Sequence, residues 1–334
     1  MNTRTLSHAE LHILERLGGH RWTVQRFTPA AVKAAKQEWK TTHTAVGIAT
    51  GGWMTTEMTN PKLGKSGVPS LGLTIHSARN ALAAWKGTDL LVRHDLAVAV
   101  GSTVLEVERV LRHTVCPMST KGCRAGCVTA ESVNARNERS QRARLARHLF
   151  LMFKPASAFA LTAHHLDRAC EQYGRRGARY RVNVSDDIRF ELLAPGLFSV
   201  APRPYAYTKW SPEQRPGRKG FRLVYSGSER TSDQEIVDMC NAGHRVAVVL
   251  DVPRSKDLPA TWHGIKVVDG DKTDDLWQHP EGVIVGLRSK GRLEQKATML
   301  ACGFTKPAVP VALEPAAAAV WSPVATDPVR VLAA

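Results

Sequence analysis

From residue 155 onward, short apolar segments alternate with helical ones, and this alternation constrains the fold more than any other feature of the sequence. A helix is predicted at 157–173, and strands are predicted at 180–184, 205–208, 222–225, 245–250, 265–268 and 282–286. Helical candidates such as 232–241 lie between several strands. Because short apolar strands alternating with helices indicate a parallel sheet, we predict an α/β fold, a partial or closed (β/α) barrel that is TIM-barrel-like.

The flanking regions predict a three-part organisation. Residues 1–45 are expected to form an N-terminal helical extension, in which Ser7 caps one helix and Thr28-Pro29 begins a second. Residues 46–305 would form the barrel-like domain, with a cysteine loop at 116–127 and an arginine-rich helix at 131–153. Residues 306–334 are rich in Pro and Ala and predict an extended C-terminal tail.

Polar residues gather where the predicted strands end. The carboxyl ends of parallel strands form the edge at which α/β proteins bind ligands. The residues expected to act in catalysis or to bind substrate there are Asp186, Asp187, Lys209, Glu229 and Asp271. Those expected to bind a cofactor are Asn183, Ser185 and Ser226.

Three of the six cysteines, Cys116, Cys123 and Cys127, lie in a C-x6-C-x3-C arrangement. Thiolates are strong ligands of zinc and iron, so the loop predicts a metal or iron–sulfur site. Three reduced cysteines without a metal are the alternative. If the metal is zinc, His148 is a candidate fourth ligand, and Cys302 is another if the fold brings it near.

The chain is strongly basic, with 46 Lys and Arg against 30 Asp and Glu and a net charge of +16. Such a charge attracts polyanions, so DNA or RNA is the expected partner. The arginines expected to contact phosphates are Arg136, Arg139, Arg142, Arg147 and Arg176, with further contacts from 215–219. A solvated charged face is the alternative interpretation of the arginine-rich helix.

Other classes are disfavoured. No apolar run has the eighteen or so residues that a membrane span needs, and we expect a cytoplasmic protein without a membrane partner. A phosphate-binding P-loop at 59–66 would need glycine where Thr59 stands, and no Gly-x-Ser-x-Gly or Gly-x-Gly-x-x-Gly motif occurs.

Several segments together resemble the gene-product eighty-eight family of mycobacteriophage and plasmid proteins. They are 72–74, the 116–127 loop, 181–188, 207–209, 226–229, 268–271 and 285–291. This resemblance implies no particular activity, and it implies a location in the host cytoplasm if the protein is phage-encoded. The order of cysteine loop, helix and strand-end Ser-Asp-Asp is also similar to radical S-adenosylmethionine enzymes, which implies a four-iron cluster on Cys116, Cys123 and Cys127 and S-adenosylmethionine as a cofactor.

Three functions are therefore expected as alternatives. The first is a phage-type enzyme that modifies nucleic acid with an iron–sulfur cluster and S-adenosylmethionine. The second is a zinc-containing transglycosylase that inserts deazaguanine-type bases, with Asp186 or Asp187 as the nucleophile. The third is a basic nucleic-acid-binding protein without catalytic activity, and the oligomeric state is left open.

Overall fold

A computed structural model describes residues 6–48, 52–56, 58, 63, 67–76, 78–127, 137–273 and 275–309. The helices are α1 (His8–Arg16), α2 (Pro29–Ala45), α3 (Ala78–Lys86), α4 (Leu90–Ala99), α5 (Val104–Val110), α6 (Lys121–Ala125), α7 (Glu138–Phe153), α8 (Pro155–Gly177), α9 (Phe190–Leu193), α10 (Pro195–Val200), α11 (Asp233–Asn241) and α12 (Leu293–Ala301). The strands are β1 (Thr55–Thr56), β2 (Ser70–Gly72), β3 (Arg179–Arg181), β4 (Pro204–Thr208), β5 (Arg222–Ser226), β6 (Arg245–Leu250), β7 (Thr261–Trp262), β8 (Ile265–Asp269), β9 (Ile284–Arg288) and β10 (Thr305–Lys306).

The strands form one ten-stranded sheet. Nine of them follow the order β1-β2-β3-β4-β5-β6-β9-β8-β7, and β10 pairs with β6 outside this order. The pairs from β2 to β8 are parallel, and only the edge pairs β1–β2 and β7–β8 are antiparallel. Within the described residues β1 and β7 remain separate edges, so the sheet is open. The predicted mixed α/β class is confirmed, and the observed architecture is an open ten-stranded sheet.

β10 enters the sheet next to β6. It pairs in parallel with the end of β6, where Thr305 lies opposite Val249. β5 pairs only with the first half of β6, as far as Ala247, whereas β9 occupies the opposite edge of β6 along its whole length. β10 therefore lies along the same edge of β6 as β5, beyond the point where β5 ends. It separates the loop after β5 from the end of β6.

The helix boundaries follow local capping. Ser7 and Glu10 form a reciprocal capping box at the start of α1, and Thr28 caps α2 ahead of Pro29, both as predicted. α7 begins at Glu138 with Asn137 as its cap, and residues 131–136 of the predicted helix lie outside the described residues.

Two strands are displaced by two residues or more from their predicted bounds. β3 ends at Arg181 instead of 184, because the Asn183 side chain bonds the turn that follows. β9 starts at Ile284 instead of 282, since Gly282 adopts a positive φ of 65° that belongs to the preceding turn.

Helices cover one face of the sheet and a loop crosses the other. The main core joins α1, α2, α7 and α8 to β2–β5, with Ile13, Phe150 and Phe159 fully buried, so the N-terminal helices share the core of the sheet. On the opposite face, the β8–β9 connection crosses the start of the sheet, where Asp275 pairs with Arg179 of β3. None of the helices formed by the described residues combines the length and apolar character that crossing a bilayer requires.

A buried ion pair fastens α1 to the chain that follows β3. Arg189 donates from Nε and Nη2 to the two carboxylate oxygens of Glu10, at 3.0 and 2.8 Å, and its backbone N–H also donates to Glu10. Both side chains are almost completely buried. Although burial opposes ionisation, these bonds hold the pKa of Glu10 below its usual value.

Replacing Glu10 with Gln should lower the free energy of unfolding by about 3–5 kcal/mol, since the Arg189 charge would remain buried without its partner. Because the pKa of Glu10 is lowered, the loss should be full at neutral pH and should shrink as pH falls through the acidic range. Urea unfolding at several pH values measures this. Glu106→Gln, which breaks the half-exposed Arg16–Glu106 pair, is the control and should cost about 1 kcal/mol or less. Equal losses in the two variants would contradict the prediction.

Candidate functional site

A rigid turn follows β3 at the carboxyl end of the sheet. The Asn183 amide donates to Asp186 Oδ1 at 2.6 Å and to the Ile188 carbonyl at 2.9 Å. Its oxygen accepts from Arg215 Nη2 at 2.9 Å. The conformation of the Ser-Asp-Asp turn is therefore fixed by Asn183, which was expected to bind a cofactor and whose polar atoms are used within the protein.

Asp187 holds the end of β4 against this turn. One of its oxygens accepts from the Thr208 hydroxyl at 2.7 Å and from Arg215 Nη1 at 3.0 Å, and the other accepts from the Lys209 backbone N–H at 2.8 Å. Arg215 also forms a two-bond ion pair with Glu191. Burial raises the pKa of Asp187 to about 6, although Arg215 and the other donors oppose that rise. Asp187 is thus a carboxylate that organises the strand ends.

Asp186 differs from its neighbour. Its Oδ1 accepts from Asn183 and from the Ile188 N–H, but its Oδ2 is buried and has no hydrogen-bond partner among the described residues. Burial raises the pKa of Asp186 to about 7, and the nearby Asp187 carboxylate adds to the rise. A carboxyl group that titrates near neutrality suits a general acid or base, and such perturbed groups concentrate at functional sites.

The cysteine loop begins directly on this turn. The Asp187 N–H donates to the Val115 carbonyl at 2.8 Å, and the Cys116 thiol lies 3.7 Å from the Ser185 carbonyl. The Ser185 hydroxyl bonds both the carbonyl and the N–H of Ile75, at 2.6 and 3.0 Å. Ser185 therefore ties the segment after β2 to the turn, and the loop lies at the same end of the sheet as the strand-end polar residues.

Glu229 fixes the helix of the loop. Its two oxygens accept from the Thr120 hydroxyl at 2.6 Å and from the Gly122 N–H at 2.8 Å, at the start of α6. Burial opposes ionisation, yet these bonds lower the pKa of Glu229. Glu229, expected to act on substrate, instead connects the loop after β5 to the cysteine loop.

The other side of α6 packs closely against the C-terminal elements. A Cβ at Gly122 would lie 2.2 Å from Phe304 and 2.9 Å from the Cys302 sulfur, and one at Gly126 would lie 2.2 Å from the Met299 sulfur. Only glycine allows this approach, which brings α12 and the start of β10 against α6. The fold therefore brings Cys302 close to the cysteine loop.

The thiols of the loop lie close enough to affect one another's ionisation. Burial raises the pKa of Cys116 well above its usual value, and Asp186 and Asp187 raise it further. Burial also raises the pKa of Cys123, an effect that the Lys209 ammonium opposes. The metal-free thiols of Cys116 and Cys123 are therefore protonated at neutral pH, so that metal binding there would have to displace protons. In the part of the chain that the structure describes, no three His, Cys, Asp or Glu side chains are arranged to hold a metal ion.

The three remaining predicted catalytic or cofactor-binding residues lie after β4, at the end of β5 and after β8. Lys209 lies at the loop, with its ammonium 5.2 Å from the centroid of the Phe304 ring. Ser226 ends β5 and is partly buried. Asp271 lies after β8, where it accepts from the Arg288 N–H at 2.9 Å and pairs with Lys290 at 2.8 Å, so its carboxylate is held by the neighbouring strand end.

The predicted phosphate-binding arginines occupy different environments. Arg139 and Arg176 are exposed, and Arg142 is partly exposed and pairs with Glu138. Arg147 is directed inward, where its guanidinium donates twice to the Gly52 carbonyl, at 3.1 and 2.8 Å. Arg136 lies outside the described residues.

Two further residues depart from their expected surroundings. Arg215, predicted as part of a phosphate-binding segment, is fully buried between carboxylates, and no periodic pattern in its segment signals this. His148 is buried in α7, where Nδ1 lies 3.0 Å from the His76 carbonyl. An open cleft of about 410 Å³ lies beside the same helix, with His76, Gln141 and Arg142 among its lining residues.

Comparison with known families gives one match. The family model described as Gene product 88 matches residues 70–306 and so covers more than half of the chain and the whole strand-end site. No curated protein and no solved structure matches. The resemblance to the gene-product eighty-eight family is confirmed, whereas no comparison supports the similarity to radical S-adenosylmethionine enzymes.

Replacing Asp186 with Asn should make the metal-free protein more stable than the wild type at pH 8, by on the order of 1–3 kcal/mol. Asn can keep the bonds at Oδ1, and it removes a carboxyl group whose raised pKa destabilises the folded state once it is ionised. The difference should disappear as pH falls towards the unfolded value near 4. Urea unfolding between pH 4 and 8 measures it, with the exposed Asp238→Asn as control. A pH-independent difference would show that Asp186 keeps an ordinary acidity.

Proposed function

We propose that this chain, which belongs to the Gene product 88 family over the stretch that contains the whole site, is an enzyme that modifies nucleic acid with a metal centre on its cysteine loop. The observation that carries this proposal is the position of Asp186. One of its carboxyl oxygens is buried and has no partner among the described residues, and the group lies within electrostatic range of the Cys116 thiol, at the edge of the sheet where α/β proteins bind ligands.

An iron–sulfur cluster is the centre that fits this set of donors best. Cys116, Cys123 and Cys127 would supply three thiolates, and a four-iron cluster held in this way leaves one iron open for S-adenosylmethionine. The high pKa of the thiols does not oppose this, since a bound metal deprotonates its thiol ligands. Ser226 is the strand-end hydroxyl proposed to contact the cofactor, because Asn183 and Ser185 are engaged within the protein.

The surrounding side chains then take distinct roles. Asp186 would give or take a proton at Oδ2, since its pKa of about 7 lets both forms exist at neutral pH. Lys209 would place a positive charge beside the thiols and the substrate. Asp187 and Glu229 would position the catalytic groups, because their oxygens already hold the end of β4 and α6.

The base-exchange alternative is favoured by one detail of the same carboxylate. A nucleophilic carboxylate needs a free oxygen, which Asp186 has and Asp187 lacks. In this second proposal Asp186 attacks the anomeric sugar carbon as the glycosidic bond to the resident base breaks and that base leaves, and the incoming base then displaces the carboxylate. Zinc on the cysteine loop would have a structural role, and Asp187 would align the turn.

The proposed polymeric substrate rests on charge. The net charge of +16 favours a polyanion, and exposed Arg139 and Arg176 are available for phosphate contacts. A third proposal, a nucleic-acid-binding protein without catalysis, makes the same use of these arginines and leaves the strand-end carboxylates without a chemical task.

Anaerobically purified protein should contain iron and acid-labile sulfide in nearly equal amounts, and Cys123→Ala should lose both. Metal analysis, sulfide analysis and the visible absorption spectrum measure this. Cys170→Ala is the matched control. The Cys170 thiol lies on α8, where it bonds the Val200 carbonyl of α10, so its loss should not affect the cluster.

The outcomes separate the proposals. Iron with sulfide, together with S-adenosylmethionine binding that Ser226→Ala weakens, supports the first. Stoichiometric zinc without iron that is lost in Cys123→Ala supports base exchange, in which Asp186→Asn should abolish incorporation of a labelled base into nucleic acid. If Cys123→Ala loses neither metal after anaerobic reconstitution, the metal-centre proposal is wrong.

Removing either exposed arginine should weaken binding to a fluorescent oligonucleotide and reduce the slope of log K against log salt by about 1 per residue. The variants are Arg139→Ala and Arg176→Ala, tested by anisotropy on single-stranded DNA, RNA and duplex DNA. Arg168→Ala is the control, since Glu171 already balances that charge at 3.0 Å. An unchanged salt slope in both test variants would exclude these arginines from the interface.

A further inference from the structure

A group of histidines lies apart from the cysteine loop, on α1 and on the segment that leads into the loop. His8, His12 and Glu15 are spaced i, i+4 and i+7, so they share one face of α1. His113 follows α5 and faces them, with its ring centroid 5.7 Å from that of His8 and 6.0 Å from that of His12.

Two ring nitrogens in this group are buried without a partner among the described residues. They are Nε2 of His12, a residue that is 6% exposed, and Nδ1 of His113. A buried polar atom without a hydrogen bond costs about 1–3 kcal/mol, and here two such atoms belong to facing rings. Neutral imidazole nitrogens of this kind are common ligands of metal ions.

The other side of His12 is already oriented. Its ring hydrogen-bonds the backbone of Met152, whereas its Nε2 has no partner among the described residues. Metal-binding histidines commonly use one nitrogen for the metal and donate from the other to a carbonyl, which fixes the ring. The Met152 contact provides that second interaction.

We propose that His8, His12 and His113 form a second metal site, for Zn²⁺ or another divalent ion that prefers imidazole, with Glu15 or water as the fourth ligand. The site does not depend on the proposed enzymatic function. His8 and His12 lie outside the stretch matched by the family model, so the site would be a feature of this chain in addition to the family domain.

The rearrangement that binding requires is small. Two imidazoles on one Zn²⁺ at about 2.0–2.1 Å per bond have centroids roughly 5 Å apart, somewhat less than the distances found here. His8 is exposed and free to rotate towards the ion. The His8–His113 and His12–His113 pairs are therefore open by roughly 0.7 and 1 Å, and no three ligands among the described residues are already in place.

Charges of both signs surround the rings. Arg16 and Arg109 lie near His12, and Arg109 and Glu15 lie near His113. The Arg16 charge is largely balanced by its 2.8 Å ion pair with Glu106. Glu15 lies near His113 and adds a negative charge.

Such a site would fix the start of the cysteine loop. His113 precedes Val115, whose carbonyl accepts from Asp187, and Cys116 follows directly. A metal that links His113 to α1 would therefore hold the segment from which the cysteine loop departs.

Equilibrium dialysis of the demetallated full chain against Zn²⁺ tests the proposal. His8→Gln should bind one equivalent less than the wild type, and because His8 is exposed this variant should fold normally. His94→Gln, an equally exposed histidine on α4, should bind as the wild type does. Zinc should also raise the melting temperature of the wild type by at least ~3 °C more than that of His8→Gln.

A second measurement separates this site from the cysteine loop. Co²⁺ bound by histidines gives visible d–d bands without thiolate-to-cobalt charge transfer, so these bands should disappear in His113→Gln and persist in Cys123→Ala. Equal zinc uptake by the wild type and His8→Gln, or cobalt spectra that show only thiolate ligation, would overturn the proposal. If only the thiolate-to-cobalt bands are missing, the result contradicts the proposed cysteine-loop metal centre and leaves the histidine site supported.

Discussion

The site depends on one buried guanidinium. Arg215 bonds Asp187, Glu191 and Asn183 with no solvent exposure of its own side chain, so one cation neutralises two carboxylates that could not otherwise be buried together. Because Asn183 and Asp187 belong to the turn after β3, and Asp187 also bonds the end of β4, the positions of the turn and of the end of β4 follow from this network. Asp186 forms no ion pair with Arg215, and burial raises its pKa further than that of Asp187, to about 7 against about 6.

The cysteine loop is held from three sides. The Val115 carbonyl joins it to the turn, Glu229 binds the start of α6, and two glycines let α12 and Phe304 approach the back of that helix. A loop fixed in this way presents its thiols to a constant environment. Preorganisation of this kind is what a metal centre or a catalytic group requires from its scaffold.

Part of this arrangement follows from the sequence. Parallel strands place their carboxyl ends together, so the convergence of 183–187 with Lys209 could be predicted from alternation alone, and the Ser7 and Thr28 caps follow from side-chain chemistry. The role of Glu229 could not, because a carboxylate after a strand gives no sign of whether it will meet substrate or a helix terminus. The burial of Arg215 and the place of β10 beside β6 depend on contacts between distant parts of the chain, which local pattern does not encode.

The late position of β10 in the chain has a consequence for biosynthesis. Phe304 and Cys302 close the back of α6, and Thr305–Lys306 completes the sheet at the end of β6. A ribosome will have made the cysteine loop some 180 residues before it makes these partners. Until β10 emerges, the thiols lack their final covering and are open to oxidation. Final packing of the cysteine loop is thus timed by the synthesis of 302–306 rather than by synthesis of the loop itself.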